Sequence, residues 1–416
     1  MKRHLLTAVM VLTAITANAQ SNDLSIEAQL RTRGEHNNGA LQPRNEGEQA
    51  ANYVSERARL SLDFRRNDLE LKASVQHTGL WGEDDIRQSN GKATISEAWA
   101  KMTFGRHFFA QIGRQQLAYD DERILGTQDW DMENFRHDAL KLGYESCDLF
   151  HRVHIILAAN QEKANRGDFY NGPMPYKNLE GLWYHYRSRT IPLDVSLLAL
   201  NVGYERGVEG HGRTNYMQTF GTDIKYAFGH PFSWDIHGSF YYQMGKTSLR
   251  QVKAFLASGS IGYTFIPQRK LKVSAGYDYM SGNNSDDLKW NAFNALYGSY
   301  HKFFGAMDYF GNTLSCGLQD IKGNISAQIC KNLRMDVNYH YLMTATQISN
   351  LKKGLGHELD VELTAKIKKD VTLSAGYSTM LGTETLDRIA SGNHEVWQDW
   401  AWLQLNICPS ALFSSK

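Results

Sequence analysis

The chain has 416 residues, with 45 Lys+Arg against 44 Asp+Glu, 12% aromatic residues, 35 Gly and 7 Pro. A charge balance this even excludes binding driven by net charge, and no nucleic-acid partner is expected. Past the N-terminus no stretch reaches the ~18 consecutive apolar residues of a spanning helix, so any membrane crossing must rest on strands.

The chain opens on Lys2, Arg3 and His4, followed by an apolar run from Leu5 to Ile15 and the small-x-small site Ala17-Asn18-Ala19. This pattern predicts a secretory signal peptide over residues 1–19 and a single mature unit over 20–416. Cleavage removes two basic residues and leaves 43 basic against 44 acidic ones, so any charge selectivity depends on where the charges sit.

Segments with one apolar and one polar face follow almost to the end. Leu24, Ile26, Ala28 and Leu30 alternate with Ser25, Glu27, Gln29 and Arg31, and Ala58, Leu60, Leu62 and Phe64 with Arg57, Arg59, Ser61 and Asp63. The pattern repeats near 68–77, 94–104, 107–115, 137–146, 150–160, 180–188, 192–204, 213–228, 231–245, 251–265, 270–281, 320–330, 333–345, 356–368, 370–380 and 397–408. With the first two, near 22–33 and 53–65, this makes about eighteen segments of the length a tilted membrane strand needs. Tight connections such as Arg66-Asn67, Lys331-Asn332 and Lys369-Asp370 alternate with long ones at 34–52, 78–93, 116–136, 161–179, 282–319 and 381–396.

Short turns at one end and long loops at the other predict an all-β, transmembrane antiparallel β-barrel of outer-membrane type. A soluble sandwich is the alternative, with the apolar face turned inward. Trp99, Tyr144, Trp183, Tyr184, Tyr226, Trp234, Tyr277, Tyr377, Trp397, Trp400 and Trp402 are expected in the interfacial girdles. The final strand, with Ala401, Leu403, Leu405 and Ile407 alternating, suits the outer-membrane assembly machinery as a partner, although Ser414, Ser415 and Lys416 trail beyond Phe413.

If the apolar parity faces lipid, Arg31, Arg33, Arg57, Arg59, Lys72 and Arg334 line the lumen with Asp63, Asp278, Asp336 and Asp360. Such residues either form a charged pore ring or simply fill a polar barrel with ion pairs. The segment from Ile112 to Leu142 is the sharpest candidate. Arg114, Arg123 and Arg136 alternate there with Asp120, Asp121, Glu122, Asp129 and Asp131, beside Tyr119 and Trp130. A loop with both signs of charge and aromatic rings suits an inward constriction; a salt-bridged surface loop is the other reading. No GxSxG, HExxH or P-loop occurs, and Cys147, Cys316, Cys330 and Cys408 lack zinc-ligand spacing. No enzyme activity, cofactor or metal is therefore expected.

GRQQLAYDDERILGTQDW followed by NFRHDALKL resembles the most characteristic stretch of the alginate export family of outer-membrane β-barrels. ERARLSLDF, SEAWAKMTF, NAFNALYGSYHKFFGAMDYF (with its F-N…H-x-F-x-G-x-x-D) and GHELDVELTAKIKKDVTLSAGYSTMLG extend the resemblance over roughly residues 22–408. It implies an eighteen-strand barrel that passes anionic polysaccharide through an Arg-bearing constriction. It also implies lumen-facing charge at Arg114, Arg136, Asp129 and Asp131, with Arg57 and Arg59. The resulting expectation is a channel for anionic saccharides or similar solutes, acting as a monomer in outer-membrane lipid. The alternatives are a general porin, or a surface β protein that binds carbohydrate without transporting it.

Overall fold

The structure is a computed structural model. It describes residues 22–415 except 88–91, 165–168, 230–232, 248–249, 285–287 and 312. The expected signal peptide, residues 1–19, lies outside the described residues. The wall begins with β1 (Asn22–Asn38), β2 (Ala51–Arg66), β3 (Leu69–Leu80), β4 (Lys92–Phe104), β5 (Phe108–Gln115), β6 (His137–Glu145), β7 (His151–Ala159), β8 (Asn178–Arg187) and β9 (Leu193–Arg206). It continues with β10 (Arg213–Phe228), β11 (Trp234–Lys246), β12 (Gln251–Ile266), β13 (Leu271–Met280), β14 (Leu318–Cys330), β15 (Leu333–Thr344), β16 (Gly354–Lys368), β17 (Val371–Gly382), β18 (Gln398–Ile407) and β19 (Ser410–Ser415).

Each strand pairs antiparallel with the next, and β1 closes the ring against β2 on one side and β18 and β19 on the other. β18 and β19 form one wall strand interrupted at Cys408-Pro409. The pairs Leu30↔Ile407 and Glu27↔Ser410 keep the same register across the break. Proline supplies no N–H to the ladder, yet its carbonyl still accepts from Ala28 N at 3.1 Å. The barrel thus has eighteen wall strands, as the periodicity predicts, and no open edge in the membrane.

The sequence alternation appears as an inside-out core. Val75, Phe240, Leu359 and Leu403 are exposed on the outer wall, where lipid would cover them. Arg57, Asp278, Asp320 and Glu358 are buried inside. Tight turns close one end: Asn67 and Asp370 take the positive φ of 40° and 61° that two-residue turns require. The long loops all emerge at the other end.

One expectation needs correction. At the long-loop end the inward face is apolar. Ile156, Leu179, Leu200, Val202, Met217 and Leu256 are all buried there. They pack against Leu117, Ile124, Leu125, Phe293, Tyr297 and Phe310, which belong to loops 116–136 and 281–317. These two loops fold into the lumen and form its core. Their backbones pair with each other: Gly126 N donates to Tyr297 O at 2.8 Å, Tyr297 N to Ile124 O at 3.0 Å, and Ser299 N to Glu122 O at 2.8 Å. A Cβ on Gly298 would lie 2.3 Å from the Arg123 carbonyl, so this contact requires glycine. Trp183, Trp400 and Trp402, expected in the lipid girdle, also point inward and are buried against these loops.

The lipid-facing assignment has a direct consequence for stability. Leu359→Arg, near the middle of β16, should cost about 2–4 kcal/mol in denaturant unfolding from lipid vesicles. Asn338→Arg, facing the lumen on β15 opposite Asp360, should cost far less.

Candidate permeation pathway and its constriction

On the inner wall β1 and β2 carry a ladder of arginines. The register sets Arg31 opposite Arg57 and Gln29 opposite Arg59, with Arg33 one inward position further along β1. Period two places all four side chains on the lumen face. Arg57 is fully buried, Arg31 and Arg33 are buried and Arg59 is largely so, and four such like charges need an answering charge.

The tip of loop 116–136 provides it. Asp129 Oδ2 accepts from Arg31 Nη2 at 2.9 Å, and Asp129 Oδ1 lies 3.0 Å from Arg57 Nη1 and 3.8 Å from Arg59 Nη1. Three successive carbonyls add to this: Asp129 O accepts from Arg31 at 2.5 Å, Trp130 O from Arg33 at 3.2 Å and Asp131 O from Arg57 at 3.3 Å. Arg59 also donates to Gln76 at 2.7 Å and to Asn134 at 2.9 Å, and Arg33 to Glu35 at 2.9 Å. Burial alone would raise the pKa of Asp129. The guanidiniums of Arg57 and Arg31 outweigh that and hold its carboxyl below the usual carboxylate range. Asp131, two residues on, is shifted the other way, first by burial and then by the charge of Asp308.

Trp130 joins this tip to loop 281–317. One face of its indole lies 4.3 Å from the Arg33 guanidinium carbon, and the other stacks on His301 at 4.2 Å and 8°. Trp402 meets its edge at 4.9 Å. His301 Nδ1 lies 2.7 Å from Asp308 Oδ2. A third loop is tied in by Leu41 N donating to Met307 O at 2.8 Å and Tyr309 Oη to Gly39 O at 2.6 Å.

The root of loop 116–136 is fixed by Arg123. Its Nε donates to Asp121 at 2.7 Å, its Nη2 to Asp278 at 3.0 Å and to Ser258 Oγ at 2.9 Å, and its plane covers Phe303 at 4.1 Å. Asp121, Asp223 and His237 bring their ligating atoms within 4.8 Å of one another, a grouping a metal ion could use. Arg123 at 2.7 Å and Lys225 at 3.4 Å already neutralise its carboxylates, so we assign it no metal. Its members come from a loop and two strands, which is why no spacing in the sequence shows it.

The sequence candidates therefore separate. Asp129, Arg57 and Arg59 meet in the constriction, and Arg31 and Arg33 complete their ladder. Arg123 anchors the loop from a buried position and does not face an open pore. Asp131 and Arg136 line a cavity at the long-loop end. Arg114 departs from the expectation of lumen-facing charge. It shares the outward parity of Ile112, which is 61% exposed, and makes a two-bond pair with Asp138 at 2.8 Å on the outer wall. Glu35, His301 and Asp308 are functional neighbours that the sequence reading left out. His301 and Asp308 are the H and D of the H-x-F-x-G-x-x-D segment, so a signal for them was present.

Three cavities follow one another along the loops. An outer one of about 670 Å³ and a middle one of about 220 Å³ share Asp131; the middle one and an inner one of about 420 Å³ share Ala306. Arg33, Trp130 and Trp400 line the middle space, while His301, Lys322 and His340 line the inner one.

A closed eighteen-strand wall with a lipid-facing outside, a charged inside and loops folded into the lumen defines an outer-membrane β-barrel channel. The chain belongs to the alginate export family, whose model matches residues 22–379. It is similar in fold to Pseudomonas aeruginosa OpdK (TM-score 0.66, 10% identity, covering 93% of this chain and 99% of that one). It is also similar to Pseudomonas aeruginosa OccK5 (OpdH) (0.63, 9%, 94% and 98%) and Acinetobacter baumannii OccAB1 (0.65, 11%, 94% and 96%). No curated protein matches it in sequence.

Two expectations test the constriction. A carboxylate whose folded pKa is depressed keeps its stabilisation above the unfolded value of ~3.9 and loses it only as pH falls through the lower folded value. Single-channel conductance should therefore hold steady from roughly pH 7 to pH 5 and rise only below about pH 4, as the Asp129 pairs are cut. Separately, Arg123→Met strips the buried Asp121 and Asp278 of a shared partner. It should weaken loop docking by about 3–5 kcal/mol, read as faster proteolysis within residues 116–136 of an otherwise intact barrel.

Proposed function

We propose that the protein passes anionic saccharides, or similar carboxylate-bearing solutes, by passive diffusion through the arginine ladder. One observation carries this reading. Four guanidiniums, Arg31, Arg33, Arg57 and Arg59, form ion pairs with two carboxylates among the described residues, Glu35 and Asp129, and Asp129 belongs to a loop rather than to the wall. A solute carboxylate entering the constriction finds donors already oriented for it, in a site where water is largely excluded and the field is strong. Asp129 then acts as the resident anion that the solute replaces. The Trp130 indole beside the ladder offers a ring face to the solute body.

The rest of the lumen supports a second reading, a porin with little preference. Lys272–Asp235 and Lys72–Glu97 are paired one to one, and Arg123 and Lys322 share Asp121 and Asp278, two charges against two, which flattens the field away from the ladder.

Planar-bilayer recording separates the two. With a salt gradient the ladder predicts a reversal potential favouring anions and a current blocked by added oligouronate. Arg57→Gln with Arg59→Gln should reduce the anion preference and weaken the block tenfold or more. Asp129→Asn should strengthen both. Unselective current that none of these substitutions alters would leave the general porin.

A further inference from the structure

The outer cavity is larger than the middle and inner ones, and none of the four ladder arginines lines it. It lies at the long-loop end, between residues 131–137, 174–175, 204 and 294–300. Its volume of about 670 Å³ is that of a small-molecule site. Its walls fall into two kinds. Phe135, Met174, Leu296, Tyr297 and Tyr300 give an apolar surface, with Phe135 and Tyr300 set edge to face at 6.0 Å. Arg136, Asp131 and Glu133 bring one positive and two negative charges to the same space.

Several of these polar groups lack partners. The Arg136 side chain makes no hydrogen bond or ion pair among the described residues, and its charge reaches Asp138 from a distance. Glu133 uses one carboxylate oxygen, accepting from Thr78 Oγ1 at 3.3 Å, and leaves the other open among the described residues. His137 is 3% exposed; its Nδ1 lies 2.7 Å from Tyr176 Oη, while its Nε2 has no partner among the described residues. The buried hydroxyls of Tyr204 and Tyr297 make no hydrogen bond among the described residues. Buried donors and acceptors cost stability when left unsatisfied, and a set of them round one cavity points to a ligand that completes them.

The charges narrow the chemistry. A simple anion that pairs with Arg136 meets repulsion from Asp131 and Glu133. A simple cation drawn to those acids meets Arg136. A molecule carrying both charges satisfies all three. We propose that this vestibule binds an amino-acid-type zwitterion, with an ammonium, a carboxylate and an apolar side chain, either free or as a short peptide. Arg136 takes the carboxylate through its two-pronged donor geometry. Asp131 and Glu133 take the ammonium. The side chain lies against Phe135 and Tyr300. His137 fits in either tautomer: Nε2 donates to the carboxylate when Tyr176 donates to Nδ1, and accepts from the ammonium when Nδ1 donates to Tyr176. This assignment does not rest on the saccharide reading of the ladder.

The test is isothermal titration calorimetry on the full mature chain, refolded in detergent and verified as a heat-modifiable barrel. The probes are L-phenylalanine, L-phenylalanyl-L-phenylalanine, phenylpropionate, phenethylamine and glucuronate. The proposal expects saturable binding of the amino acid or of its dipeptide, which separates a free from a peptide ligand. It expects each single-charge analogue, and glucuronate, to bind at least tenfold more weakly. Arg136→Gln should lower affinity for the zwitterion tenfold or more without lowering that for phenethylamine. Arg114→Gln, on the outer wall, should leave all affinities unchanged. Phenylpropionate or glucuronate binding as tightly as the zwitterion would overturn the proposal in favour of a plain anion site. Absence of binding to a verified barrel would overturn it outright. Neither result bears on Arg57 or Arg59, whose role is read from ion selectivity.

Discussion

The constriction depends on one charge that has nowhere else to go. Arg57 has no exposure to water, and it stands on a wall strand beside Arg31 and Arg59. Burying guanidiniums side by side without a counter-ion costs several kcal/mol for each. Asp129 removes that cost by meeting three of them, and the carbonyls of residues 129–131 take up further donors. The wall strands thus require the loop to fold inward, and the loop is ordered because the wall is charged. The same logic underlies the proposed anion passage. A ladder that needs an anion can exchange one for another, whereas a ladder paired entirely by its own wall could not.

The second constraint is apolar. The loop end of the lumen is a true hydrophobic core, with Leu125, Tyr297 and Phe310 packed on Leu200, Met217 and Leu256. Expelling loops 116–136 and 281–317 as a body would return all of that surface to water at roughly 25 cal/mol per Å². On the proposed reading, opening for a solute is then local, at the tip where contacts to the ladder are polar and exchangeable. Trp130 is that tip. It is held by a cation on one face and an imidazole on the other rather than by aliphatic packing.

The wall was legible in the sequence because lipid and lumen impose opposite polarity on alternate residues. Strand number, turn ends and the inward arginines of β1 and β2 follow from that parity alone. Two kinds of residue escape it. Trp183 and Trp402 sit where both faces are apolar, one toward lipid and one toward the loop core, so alternation carries no sign there. Arg114 lies at the rim of β5, where the outer wall rises beyond the apolar band. A charge on the outward parity is satisfied there by Asp138 on β6. Lumen-facing charge is thus a safe inference only in the middle of a strand. The pairing of Asp129 with the ladder was not legible, since it joins positions roughly seventy to a hundred residues apart through a loop whose path no local pattern encodes.

The H-x-F-x-G-x-x-D segment shows how a loop motif can be read physically once its path is known. His301 stacks on Trp130, Phe303 lies under the Arg123 guanidinium, Gly305 takes φ +92° against the Glu358 carboxyl, and Asp308 holds His301. A Cβ at Gly305 would come within 2.4 Å of that carboxyl, whose Oε1 accepts from Met307 N at 2.7 Å. His301, Phe303 and Gly305 therefore fix the partition between the middle and inner cavities to three different bodies: the loop tip, the loop root and β16. Ala306, at the centre, borders both cavities and has only a methyl group as its side chain. A partition pinned at its ends and small at its middle sets a width more than it sets a barrier. On the proposed reading, that width and the exchangeable anion at Asp129 together set which solutes the barrel admits.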